Sequence, residues 1–385
     1  MKILHLADLH LGKNVVGLSM IDNQRDFLLK TLKLCKEENV KNIIISGDVY
    51  DRSIPPEDAV ILLNDFLTEA VLKEKIKVHI ISGNHDSKER LACFNGILEK
   101  QGLYIDNQIS TDLQMNKHQI SEDGLTVNVY SLPYIYPGEI REKSVDSSIK
   151  DFESALIKVL NANSVNKEEI NILNAHYFVT GNEMPIISDS ETRTSVGTIE
   201  QVSFKIFDDF DYVALGHLHC PQHIGRETVR YAGSPLRYSV DEIKQNKCFT
   251  ILDIKSKTDI TIKKVDINPL YEFVCLQGSV DELTQNSEVK DLRIAYFELT
   301  DETHVLNAAS RLKIKFPNYV GLKYINMKDE NDLEENSLSK SEDFDELPTD
   351  KQFGNFFKFI LEKDLNDIQL NAVEEIVSDL EKETF

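Results

Sequence analysis

Five clusters of residues able to hold a divalent cation punctuate the chain: Asp8-Leu9-His10, Gly47-Asp48, Gly83-Asn84-His85-Asp86, His176, and Gly216-His217-Leu218-His219. They mix carboxylate, amide oxygen and imidazole, donors that suit a hard or borderline metal ion. An isolated histidine after an apolar run is most often a hydrogen-bonded structural residue. Five such clusters in series point instead to one assembled site. Two cations about 3.5 to 4 Å apart take around seven protein ligands, share one carboxylate, and leave positions open for water and substrate. Asp8, His10, Asp48, Asn84, His176, His217 and His219 make up such a set, with Asp48 as the natural bridge. The glycines beside Asp48, Asn84 and His217 allow the tight turns that bring those ligands in.

Each cluster follows a short apolar run, at residues 3–7, 43–45, 78–81, 170–175 and 212–215. Runs of this length read as buried strands. Between the early ones, residues 27–38 and 57–72 have helical periodicity, the second opening after Pro55 and Pro56. Such alternation predicts an α/β domain with its ligands in loops at the carboxyl ends of the strands. After about residue 265 the pattern changes to strand-like 271–276 and 292–299, helix-like 305–316 and strand-like 319–327, a small separate α+β unit. Residues 329–350 carry ten acids against Lys340 and read as a linker. Beyond them, Phe353, Phe356, Phe357, Ile360 and Leu361, then Ile368, Val373, Ile376, Val377 and Leu380, fall into two helical stripes.

The series D-x-H, G-D, G-N-H, H, G-H-x-H over roughly residues 1–235 resembles the calcineurin-like metallophosphoesterases. Within that superfamily, DLHLG at 8–12, GDVYDRSIPP at 47–56, GNHDS at 83–87 and YVALGHLH at 212–219 are similar to the signatures of the SbcD family of nuclease subunits. The resemblance covers nearly the whole chain. It implies an α/β fold with a core of two packed mixed sheets flanked by helices (1–265), a small α+β capping domain that selects DNA shape (270–328), the acidic linker (329–350), and C-terminal helices that dock an SbcC-like ATPase (351–385). The implied activity is that of a DNA nuclease, an exonuclease on double-stranded ends and an endonuclease on hairpins or single strands. It would serve DNA repair, recombination and replication as a homodimer within a heterotetramer.

By the same resemblance the cofactors are two divalent ions, expected to be manganese. Asp8, His10, Asp48 and His219 hold one; Asp48, Asn84, His176 and His217 hold the other. His85 contacts the scissile phosphate and protonates the departing sugar oxygen. The chain departs from the archaeal and eukaryotic relatives at Asp51, where they carry a second histidine. GDVYDR at 47–52 resembles instead the GDxxDR of the Ser/Thr phosphatases, so Asp51 is expected to orient and charge His85, and Arg52 to contact phosphate. The alternatives are a small-molecule phosphodiesterase or protein phosphatase on the same scaffold, and a non-catalytic scaffold, which the complete ligand set disfavours.

Bulk properties bound these expectations. At 385 residues and 41% hydrophobic content the chain can bury a large catalytic core plus smaller units. No run approaches the roughly 18 to 20 apolar residues of a membrane helix, and the opening MKILHLADLH has a strand pattern rather than that of a cleavable signal, so a soluble cytoplasmic protein with no membrane partner is expected. The five cysteines are scattered, without a CxxC pair, and read as reduced thiols. The net charge of −22 is concentrated at the end, with −9 on residues 329–350 and −4 on residues 351–385, which leaves −9 for the first 328. An enzyme that grips phosphate through divalent metals tolerates that balance, while unaided binding to DNA is expected to be weak.

Overall fold

Strands with apolar residues on both faces are stable only where both faces are covered. The computed structural model describes residues 1–122, 124–191, 200–285, 291–327 and 369–370. In it β1 (Lys2–Leu6), β2 (Asn42–Ser46), β3 (Lys77–Ile81) and β4 (Leu103–Asp106) run parallel, with α1 (Ile21–Glu38) and α2 (Glu57–Leu67) making the first two crossovers. The hairpin β5 (Asn116–Glu122) and β6 (Leu125–Leu132) begins a second sheet. It continues through α3 (Pro137–Ser144), α4 (Phe152–Ala162), β7 (Ile170–His176), β8 (Tyr212–Gly216), β9 (Gln222–Ile224) and β10 (Arg226–Tyr231), in the order β9-β10-β8-β7-β6-β5. The four inner strands are parallel and the two edges antiparallel. A last hairpin, β11 (Cys248–Ser256) and β12 (Asp259–Asp266), returns to pair antiparallel with β1, so the first sheet reads β12-β11-β1-β2-β3-β4.

The fold is thus α/β, with two mixed six-stranded sheets packed face to face. Side chains alternate across each strand. On β1, Ile3 points into the core between the sheets with Ile44, Val129, Ile172 and Ala214, while Leu4 points outward to Phe27, Leu62 and Phe66 beneath α1 and α2. The outer face of the second sheet is covered by Phe152, Leu156 and Val159 of α4. A polar seam crosses the inner core: His5 reaches Tyr212 Oη at 3.0 Å and Ser46 Oγ at 3.1 Å. Pairing both nitrogens offsets the cost of burying the imidazole.

Two helices differ from their sequence expectation. α1 starts six residues earlier than its apolar periodicity, because its first turns bury amides. Gln24 Nε2 donates to the His10 carbonyl at 2.7 Å and Asn23 Nδ2 to the Tyr271 carbonyl at 3.0 Å. The stretch expected as one helix over 57–72 changes register after Leu67 into a π-helix, Thr68–Lys73.

After the core come β13 (Phe273–Gly278), α5 (Val280–Thr284), β14 (Ile294–Leu299), α6 (Ala308–Lys315) and β15 (Tyr319–Tyr324). They form a three-stranded sheet, β13-β14-β15, with β13 and β14 parallel. Phe273, Ile294 and Val320 pack against Val15, Met20, Leu236 and Tyr238. The chain divides into two compact units, residues 1–299 with 305–323, and residues 300–304 with 324–385. The expected linker at 329–350 and helices at 351–385 lie outside the described residues, apart from the helical Gln369 and Leu370. Among the described residues no helix is long and apolar enough to cross a membrane.

Candidate metal centre

All five clusters emerge at the carboxyl ends of parallel strands: Asp8 and His10 after β1, Asp48 after β2, Asn84 and His85 after β3, His176 as the last residue of β7, His217 and His219 after β8. Facing two sheets at this end lets loops from both converge, as the open edge of an α/β sheet does for ligands generally. The first two loops zip together through Asp8 N to Gly47 O at 3.1 Å, His10 N to Asp48 O at 3.0 Å and Leu11 N to Val49 O at 2.9 Å. Asp86 fastens the third to the second, accepting from the main chain of Val49 at 3.1 Å, Tyr50 at 2.9 Å and Gly83 at 2.9 Å.

Local backbone strain aims the donors. Asp8, His10, Asp48 and His217 all have positive φ, at 53°, 44°, 48° and 107°. Such conformations cost about 1–3 kcal/mol each in non-glycine residues and persist only where the surroundings impose them. Close approach requires glycine beside the donors: a Cβ on Gly216 would lie 1.9 Å from the Ser46 carbonyl oxygen, and one on Gly83 would lie 2.1 Å from Asp48 Oδ1.

The donors meet in one cluster. His10 Nε2 and His219 Nε2 face each other at 3.1 Å, and Asp48 Oδ2 is 3.3 Å from His176 Nε2 and 3.7 Å from His10 Nε2. Asn84 Oδ1 is 3.0 Å from His176 Nε2 and 3.2 Å from His217 Nδ1. Three overlapping groups lie within ligand reach of one another: Asp8 with His10 and His219, Asp8 with Asp48 and His176, and His10 with Asp48 and His85. The six candidate carboxylate and imidazole ligands are buried, whereas Asn84 and His85 are half-buried.

This donor set fits divalent metal. Asp8 Oδ1 accepts from His217 N at 2.9 Å, but Asp8 Oδ2 is buried without a hydrogen-bond partner, and His10 Nδ1 lies 3.5 Å from Asp51 Oδ1, too far for a good bond. A buried carboxylate oxygen left in that state is costly unless a cation meets it. Burial pushes the Asp8 carboxyl up to about 7, against the pull of His176 and His219. At Asp48 burial is opposed and overcome by the His176 and His10 rings, which hold it well below the usual carboxylate range. Burial pushes His10 down to about 4 and His217 down to about 3, so both present neutral lone pairs near neutral pH.

The structure brings together all seven residues expected as ligands and places His85 among them, its ring centroid 4.9 Å from that of His10. The expected role of Asp51 needs correction. His85 Nδ1 lies 2.8 Å from the main-chain oxygen of Asp51, not from its carboxylate. The carboxylate turns to Lys13 Nζ at 2.8 Å and His10 Nδ1 at 3.5 Å. Burial would raise the Asp51 carboxyl, but its contacts with His10 and Lys13 hold it well below the usual range. Lys13, a full charge, outcompetes a ring that the backbone already satisfies. Arg52 is exposed, and its guanidinium has no hydrogen-bond partner among the described residues.

The sequence reading missed Glu191, Glu242 and Lys247. Glu191 Oε1 accepts from His219 N at 2.6 Å, and the buried Glu242 and Lys247 reach the ring and carbonyl of the same histidine. They stand in polar stretches without an apolar run before them, so no local pattern marks them.

Comparison with known proteins gives a family profile, calcineurin-like phosphoesterase, that matches residues 1–221. The SbcD component of the SbcCD nuclease of Staphylococcus epidermidis is 31% identical over 387 residues, spanning 98% of this chain and 98% of that protein. Among solved structures, a dimetal phosphatase from Danio rerio aligns at 14% identity with a TM-score of 0.41, over 70% of this chain and 98% of its own. The phosphoesterase Yfce from E. coli aligns at 14% identity with a TM-score of 0.27, over 70% of this chain and all of its own.

Proposed function

The chain belongs to the calcineurin-like phosphoesterase family, in its SbcD-like branch, and on that premise we propose that it is a metal-dependent nuclease that hydrolyses DNA phosphodiesters. The observation that carries this reading is the convergence of carboxylate, amide and imidazole donors on one buried cluster with the half-buried His85 among them. Asp8, His10, Asp48 and His219 would hold one ion and Asp48, Asn84, His176 and His217 the other, manganese in both. Such ions supply Lewis-acid charge to phosphoryl oxygens.

The chain's own groups do the rest. His85 is steered from two sides: its main-chain N–H donates to Asp48 Oδ1 at 2.9 Å, and its Nδ1 faces the Asp51 carbonyl at 2.8 Å. With Nδ1–H held there, Nε2 is the atom that hands a proton to the departing sugar oxygen when the ring is charged. Asp51 contributes through its carbonyl, and its carboxylate neutralises Lys13. The exposed Arg52 guanidinium is free to meet a backbone phosphate.

The finer assignments follow the SbcD-like relative. The small sheet of β13 to β15 would cap the site and select DNA shape, and residues 351–385 would dock an SbcC-like ATPase. Exposed apolar side chains at Ile54, Ile61, Phe94 and Ile97, on segments joined by Arg90 Nη1 to Ser53 O at 2.7 Å, support a homodimer, two copies of which fit a heterotetramer with the ATPase. The complex would act in the cytoplasm on double-stranded ends, hairpins and single strands during repair, recombination and replication.

The test offers the purified chain with manganese a DNA hairpin, a duplex end and bis-p-nitrophenyl phosphate, with and without the ATPase. Metal-dependent DNA cleavage that chelator abolishes is the expected result. Turnover of the small phosphodiester with DNA left intact would favour a small-molecule enzyme instead.

A further inference from the structure

A buried ion pair lies behind one ligand of the cluster. Glu242 is fully buried on the short turn Asp241–Lys244, and Lys247 is nearly so. Lys247 Nζ donates to Glu242 Oε2 at 2.7 Å, to Ser234 Oγ at 2.8 Å and to the main-chain oxygen of His219 at 2.8 Å. The other carboxylate oxygen, Glu242 Oε1, faces His219 Nδ1 at 3.1 Å and accepts from Ser239 Oγ at 3.1 Å and from Ser190 Oγ, and the Ser190 hydroxyl that it orients lies 2.7 Å from the same Nδ1. One ion pair therefore grips His219 by its ring and by its backbone.

That arrangement is a poor way to gain stability alone, since desolvating two charges offsets most of their attraction. It is well suited to a ligand. A carboxylate on Nδ1–H fixes the tautomer, turns the Nε2 lone pair toward the cluster and makes it more basic. His219 Nε2 does point there, 3.1 Å from His10 Nε2. The other side of the cluster is built differently, for His176 Nδ1 is held at 2.7 Å by a neutral carbonyl, that of Ser46.

We infer that Glu242 is a positioning residue for His219, and that it makes the site of Asp8, His10, Asp48 and His219 the tighter of the two metal sites. The inference rests on the two-metal reading above. A cation there gains from a ligand polarised by a full negative charge, while the site of Asn84, His176 and His217 relies on neutral donors around the shared Asp48. Lys247 occupies the other carboxylate oxygen and leaves Oε1 to the ring side.

The test is manganese titration of the metal-stripped full-length chain by calorimetry, alongside ¹⁵N spectra of its histidine rings. Wild type, Glu242→Gln and the double variant Glu242→Gln with Lys247→Met are compared, the double variant because it leaves no unpaired buried lysine. Wild type should bind two ions with distinct affinities. The double variant should lose about 10- to 100-fold at the tighter site only. Its His219 signals should move from a single Nδ1–H tautomer toward a mixture. Two unchanged affinities and an unchanged tautomer in a folded double variant would overturn the inference. If wild type itself binds one ion or none, the two-metal reading fails first, and an unchanged tautomer would remove Glu242's role as well.

Discussion

His85 can be tested apart from the candidate metal ligands by a single substitution, because its Nδ1 is held by the Asp51 carbonyl and its main chain by Asp48, which leaves Nε2 to meet substrate. His85→Gln should keep its metal, read by calorimetry, and lose about 10²- to 10⁴-fold in cleavage rate, the usual cost of removing a general acid. Loss of metal in that variant would show His85 to be a ligand instead. For Asp51→Asn the side-chain geometry predicts an alkaline limb of the pH–rate profile that stays in place, since Lys13 and His10 rather than His85 face the carboxylate. A limb displaced to lower pH would return the carboxylate to His85. The clustering of the candidate ligands was legible because each follows or closes an apolar run, so their types and order were visible together. The partner of Asp51 was not, because spacing brings a residue near a neighbour without saying which of its atoms does the touching. Glu242 was silent for a related reason: its partner lies 23 residues away in sequence and is met only after β9 and β10 have turned the chain back.

The strands that deliver ligands are held so close that their glycines have no room to grow. Gly216→Ala would press a Cβ against the Ser46 carbonyl of the facing sheet and within 2.8 Å of His176 Nδ1, so β2 and β8 must part. The expected outcome is a chain destabilised by several kcal/mol in the manner of an overpacked core, with weakened metal uptake, measured by thermal unfolding and calorimetry. A variant with wild-type melting and metal affinity would mean that the sheets separate more readily than their packing implies. The five ligand-bearing strands were foreseen from their apolar runs, whereas the hairpin β5–β6 was not: its outer strand is mostly exposed and polar, and reads as a loop. The early start of α1 was hidden for the opposite reason, since its first turn buries Asn23 and Gln24, residues whose type signals solvent. At the exposed patch, Phe94→Glu with Ile97→Glu should give a monomer in sedimentation without loss of metal. A dimer that survives both charges must join elsewhere.

Across the whole molecule, buried neutral histidines outside the metal cluster set a limit on acid stability. His79 stacks on Tyr104 at 4.7 Å, both its ring nitrogens lack hydrogen-bond partners, and burial pushes it down to about 3. Its unfolded form binds a proton near pH 6.5, so the stability it allows is complete above that value and is lost as pH falls toward about 3. Replacing it with phenylalanine keeps the stacking and removes the proton. His79→Phe should therefore unfold with a shallower acid dependence, gaining about 2 kcal/mol over wild type between pH 8 and pH 5 in chelator-containing buffer. Parallel stability curves would mean that His79 stays uncharged in both states or takes a proton without unfolding. The acidic balance of the chain has a matching consequence at this scale: with −22 overall, a nucleic-acid substrate would have to be held by metals and a few cations at the site rather than by the surface. The central claim is therefore the metal pair itself. Anomalous diffraction at the manganese edge, on crystals grown with that ion, should show two peaks about 3.5 to 4 Å apart flanking the Asp48 carboxylate. A single peak, or peaks away from Asp48, would contradict the account.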